Sequence, residues 1–125
     1  MILLVEDDSL SRRAFAQILR AAGYQVAEAQ NGVEALEILT TGAEVLTEET
    51  FDLVIADLVL PGLHGVNLIH QIRAKWPKMP IIVISGYLSD GSGKVILEDF
   101  AEFVQKPIDP AALIAAVRRL LPVKI

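Results

Sequence analysis

Strand-like and helix-like segments alternate along this chain from one end to the other, and that alternation leaves few folds open. Short β-forming runs stand at residues 1–5, 25–29, 53–56, 81–84 and 102–104. Segments with helical period separate them, a pattern that predicts βαβ units and a parallel sheet. A first helix is expected over residues 9–22, with Leu10, Ala14, Phe15, Ile18, Leu19 and Ala22 as its apolar stripe and Gly23 as its stop. Asn31 reads as the N-cap of a second helix, and Glu34 is placed to close a capping box. A Pro61/Gly62/Gly65 loop leads into a third helix over residues 66–75. A weaker helix is expected from about Lys94, and Asp109-Pro110 opens a last one that ends near Leu121.

The second helix sets a local problem. Leu36, Leu39, Ala43 and Leu46 keep helical spacing, but Gly42 interrupts them at a cost of ~1 kcal/mol against alanine. The periodicity favours a helix that runs on to about Leu46.

At 125 residues the chain is one domain, long enough to bury a core, and 53% hydrophobic against 22% charged excludes a disordered tail. A net charge of −5 argues against direct binding to nucleic acid or to an anionic membrane. Cysteine is absent, which excludes disulfides and thiolate metal sites. No apolar stretch approaches the ~20 residues of a membrane span, and acids arrive too early at Glu6 for a signal peptide. The expected location is the cytoplasm.

The chemistry-bearing residues stand at the ends of the runs. Glu6, Asp7 and Asp8 follow the first, Asp57 the third, Ser85 the fourth, and Lys106 the fifth. In a parallel sheet those ends share one edge, so distant residues converge on one pocket. Several carboxylates and one ammonium suit a hard divalent cation and a phosphoryl group. An aspartate carboxylate is a competent nucleophile for phosphoryl transfer once the mutual repulsion of the anions is neutralised. Singly, each residue has a plainer reading: an acid favoured ahead of a helix, a turn serine, a solvated lysine. Those readings fail together, because four strand ends would have to imitate one site. Asp8 is expected to remain a cap or surface residue. His64 and His70 read as surface residues, Trp76 as boundary packing, and Glu44, Glu48 and Glu49 as a solvated face.

Taken in order, the acids after the first run, Asp57, Pro61, Gly65, Ser85-Gly86 and Lys106-Pro107 give the chain a specific likeness. It resembles the receiver domain of two-component response regulators over its whole length. The resemblance implies an α/β fold of flavodoxin-like (βα)5 type, a doubly wound five-stranded parallel sheet in the order 2-1-3-4-5. It implies Asp57 as phosphoacceptor and Mg²⁺ held by Glu6, Asp7, Asp57 and the backbone carbonyl of Val59. Ser85 would donate to the phosphoryl group, Lys106 would pair with it, and Phe103 would be the aromatic that reorients with Ser85 in the switch. Val59 and Tyr87 would flank the path of the attacking water, which implies slow self-dephosphorylation.

The implied donor is a phosphohistidine on a sensor histidine kinase or a histidine phosphotransfer protein, and a homodimer is compatible with the pattern. Such a protein catalyses its own phosphorylation and dephosphorylation and turns over no external substrate. Residues 1–125 are expected to form the receiver alone, with no effector domain. Two other classes fit the residues less well. An aspartate-nucleophile phosphatase wants a D-x-D-x-[TV] pattern that Asp7-Asp8-Ser9-Leu10 lacks. A flavodoxin-like mononucleotide binder wants a Ser/Thr/Gly-rich loop where this chain has three acids.

Overall fold

The computed structural model describes residues 1–44, 51–57, 65–85 and 102–121. Five strands, β1 (Ile2–Val5), β2 (Val26–Ala29), β3 (Leu53–Asp57), β4 (Ile81–Ser85) and β5 (Glu102–Gln105), form one sheet in the order β2-β1-β3-β4-β5. Every pairing in it is parallel. Four helices are described: α1 (Ser9–Ala21), α2 (Gly32–Glu44), α3 (Gly65–Lys75) and α4 (Pro110–Leu120).

Strand alternation divides the core into two layers. Leu3, Val5, Val54, Ala56, Ile81 and Val83 point to one face and pack on Ala35 and Leu39 of α2 and on Leu68, Ile69 and Ile72 of α3. Ile2, Leu4, Leu53, Ile55, Ile82 and Ile84 point to the other and pack on Ala16 and Leu19 of α1 and on Leu113, Ala116 and Val117 of α4. Strands covered on both faces have no wet side, which is why β1 and β4 read as unbroken apolar runs. Burying each such Leu or Ile contributes roughly 1.5–3 kcal/mol.

The strands end slightly later than the sequence pattern predicts. Asp57, Ser85 and Gln105 still belong to strands, because Asp57 pairs with Ile84 and Ser85 with Gln105. In α1 the apolar stripe needs correction. Leu10 is 76% exposed and Ala14 is also exposed, while Ala16 and Leu19 are buried. Leu10 stands nine residues before Leu19, about two and a half turns, and so faces the opposite way.

The caps follow the sequence more closely. Asp8 caps α1 by accepting from the Ser11 amide at 3.0 Å. Gly23 follows the helix at φ 98°, a left-handed conformation that suits glycine. Asn31 Oδ1 accepts from the Glu34 amide at 2.8 Å, but Glu34 returns no side-chain bond, so only half of the expected capping box forms. Asp109 caps α4 by accepting from the Ala111 amide at 3.3 Å. Helix α2 runs through Gly42 as expected and is described to Glu44. Its expected end at Leu46, the acids Glu48 and Glu49, Pro61, Gly62, His64, Gly86, Tyr87 and the helix from Lys94 lie outside the described residues.

Candidate functional site

The site stands where the strand order turns back, at the carboxyl ends of β1 and β3. The two strands are neighbours in register, with Val5 opposite Ala56. Glu6 therefore emerges from the sheet beside Asp57. Its amide donates to the Ala29 carbonyl at 3.0 Å, which ties the start of the acidic turn to β2. The chain then turns at once into α1, and the Asp8 amide lies 3.4 Å from Glu6 Oε1.

Two of the acids are buried, Glu6 at 1% exposure and Asp57 at 5%, and among the described residues they are the buried charged groups of the molecule. Carboxylate oxygens of Glu6, Asp7 and Asp57 all lie within 4.8 Å of one another, with Asp7 exposed. Lys106, just beyond β5, closes the cluster. Its Nζ donates to Asp57 Oδ2 at 2.6 Å and reaches Glu6 Oε2 at 3.5 Å.

Charge is crowded here. Burial, then a hydrogen bond to Asp57, then repulsion from its charge push the Glu6 carboxyl up to about 7, against the opposing pull of Lys106. Burial acts to lower the Lys106 ammonium, but its bond and charge interaction with Asp57, followed by those with Glu6, outweigh it and raise its pKa. Glu6 and Asp57 thus share one ammonium, with the Asp7 carboxylate beside them. The donor set fits a hard divalent cation that takes oxygen ligands from a few carboxylates and keeps its remaining waters.

The structure brings Glu6, Asp7, Asp57 and Lys106 together as their positions in sequence require. Ser85 closes β4 opposite Gln105. Phe103 is half-buried in β5, opposite Val83, and packs against the core layer that contains Val83 and Ala56. Val59 lies outside the described residues. His70 is exposed, and Trp76 is partly buried at the end of α3 with the Lys75 ammonium 6.0 Å from its ring.

One contact escaped the sequence reading. Arg12 of α1 donates from Nη1 to the Glu6 backbone carbonyl at 2.9 Å. Its signal was a basic residue two turns before Leu19, on the buried side of the helix.

Comparison with known proteins agrees with this geometry. Residues 2–118 match the family described as the response regulator receiver domain. A sensor kinase of Brucella abortus is 35% identical over 122 residues, 96% of this chain and 12% of that protein. A response regulator receiver domain protein from Clostridium thermocellum superposes with a TM-score of 0.85 at 26% identity, covering 96% of this chain and 92% of that one. A response regulator of Thermotoga maritima, solved in complex with Mg²⁺-BeF, gives a TM-score of 0.83 at 30% identity, covering 96% and 97%. This chain spans between 12% and 27% of the length of such curated relatives. It belongs to the response regulator receiver domain family of two-component signalling.

Proposed function

We propose that this domain accepts a phosphoryl group on Asp57 and changes its partner interactions when it does so. The observation that carries the reading is the Lys106–Asp57 contact of 2.6 Å inside a buried cluster of acids. An ordinary ion pair would not enclose a second buried carboxylate whose own charge is disfavoured.

The donor is a phosphohistidine of a sensor kinase or a histidine phosphotransfer protein. A carboxylate oxygen of Asp57 forms the new O–P bond while the P–N bond breaks, and the electron pair departs with the imidazole nitrogen. The strand end holds the Asp57 carboxylate fixed, which spares the cost of orienting the nucleophile. Lys106 neutralises part of the charge that an incoming phosphoryl group adds. Glu6, Asp7 and Asp57, with the Val59 carbonyl, would hold Mg²⁺, which supplies the remaining charge neutralisation when bound. Ser85 donates its hydroxyl to the phosphoryl oxygens, and Phe103 follows that movement as the switch. The new group adds about −1.5 to −2 charge beside Lys106, enough to bias two packings of β4 and β5. Nothing in this scheme turns over an external substrate.

The test is incubation with phosphoramidate and Mg²⁺, followed by intact mass. The chain should gain a single phosphoryl group, and Asp57→Asn should gain none. Phosphorylation of Asp57→Asn at full extent would overturn the proposal.

A further inference from the structure

Asp7 poses a question that its own side chain does not answer. Among the described residues its carboxylate makes no hydrogen bond or ion pair, yet it stands within 4.8 Å of the buried acids Glu6 and Asp57. Only the backbone can place it there. The residue before it is held from both ends: the Glu6 amide donates to the Ala29 carbonyl at 3.0 Å, and the Glu6 carbonyl accepts from Arg12 Nη1 at 2.9 Å. That carbonyl belongs to the peptide unit that leads into Asp7, so its direction sets where the Asp7 side chain begins.

Arg12 is itself anchored. Its Nε lies 3.4 Å from Glu28 Oε1 on β2, and Glu28 Oε2 in turn lies 3.4 Å from Arg20 Nη2, which donates to the Val26 carbonyl at 2.9 Å. The guanidinium is the group suited to this task, because its planar fork can engage a carbonyl and a carboxylate together. Its position within α1 is fixed as well, since the Arg12 amide donates to the Asp8 carbonyl at 2.8 Å.

We infer that Arg12 is a positioning residue for the acidic cluster: by gripping the Glu6 carbonyl it aims Asp7 at a shared cation. The inference rests on the Mg²⁺-assisted reading given above. Two effects of opposite sign make it testable. A guanidinium near a dication opposes binding by charge, so removing it should tighten Mg²⁺ if charge were its main influence. If Arg12 works by aiming Asp7, removing it should weaken Mg²⁺ instead. Loss of a group that orients a metal ligand typically costs 10–100-fold in affinity.

The experiment is a calorimetric titration of the full chain with Mg²⁺ alone, with thermal melting of each variant alongside. Arg12→Met keeps the length and loses the donor. Arg12→Lys keeps a donor long enough for the carbonyl but cannot also hold Glu28 as a fork. Arg12→Met should bind Mg²⁺ at least about 10-fold more weakly than wild type, and Arg12→Lys should stay much closer to wild type although its melting point also falls. A purely structural role would lower both melting points and leave both affinities unchanged. Unchanged or tighter binding by Arg12→Met, or equal weakening in both variants, would overturn the inference. Should Arg12→Met not fold, Arg12→Gln, too short to reach the carbonyl, takes its place with the same expected loss. Failure of the wild-type chain to bind Mg²⁺ would overturn the metal reading and this inference with it, a result distinct from equal binding by wild type and variants.

Discussion

Glu102 opens β5 and Lys106 follows its end, and each makes an ion pair with an N–O distance of 2.6 Å. At the opening end, Arg119 reaches Glu102 with two nitrogens, at 2.6 and 3.3 Å, and its side chain is 57% exposed. At the closing end, Lys106 reaches an Asp57 side chain that is 7% exposed, with Glu6 buried beside it. Length does not separate the two pairs. Surroundings do. Water can replace either partner of the first, whereas Lys106 answers the charge of two buried carboxylates at the second. The exposed pair decorates a strand and the buried one holds a tension that a cation or a phosphoryl group can use.

Removing the lysine should break the comparison most visibly. Lys106→Met leaves the Asp57 and Glu6 carboxylates without their ammonium, and unfolding in urea at pH 8 without metal should show a loss of about 3 kcal/mol. At pH 5 the loss should shrink, because Glu6 can then take up a proton. Equal losses at both pH values would mean that Glu6 does not share the charge.

Titration of the wild-type chain sharpens the same point. Glu6 ionises near 7 in the folded protein against 4.5 as its ordinary value, so between those limits the folded state holds a proton that the unfolded state has released. The stability this contributes is present at low pH and fades as pH rises through 7, by about 3 kcal/mol for the metal-free chain. Mg²⁺ needs Glu6 ionised, so its affinity should move the other way and fall as pH drops below 7. Calorimetric Mg²⁺ titrations at pH 6 and pH 8 read this directly. Affinity independent of pH would remove Glu6 from the ligand set.

The exposed pair supplies the smallest effect. Arg119→Met should leave the melting midpoint within measurement error and phosphorylation by phosphoramidate unchanged. A large loss would show that Arg119 does more than its exposed contact to Glu102 suggests.

Much of this was legible in the residue order. Unbroken apolar runs such as Ile2–Val5 announce strands covered on both faces, and residues placed just past several such runs must meet at one sheet edge. That is why the residue order alone places Glu6, Asp7, Asp57 and Lys106 at one edge, where the fold brings them together. The facing of α1 was not legible, because Leu10 and Leu19 fit one broad apolar stripe until Ala16 and Leu19 are seen to lock the helix against the sheet. Arg12 was missed for a related reason: its partner is the Glu6 backbone, which leaves no mark on the composition of the chain. Half of the Asn31 capping box failed because the Glu34 side chain, unlike its amide, is not drawn back to the cap.

The central claim is that Asp57, and not its acidic neighbours, carries the phosphoryl group. The direct measurement is to phosphorylate the wild-type chain with phosphoramidate and Mg²⁺, trap the acyl phosphate by borohydride reduction, and sequence the digest by tandem mass spectrometry. Reduction should convert residue 57 alone to homoserine, with Glu6, Asp7 and Asp8 intact. Homoserine at position 7 or 8, or a phosphate that resists reduction because it sits on a hydroxyl, would contradict the account.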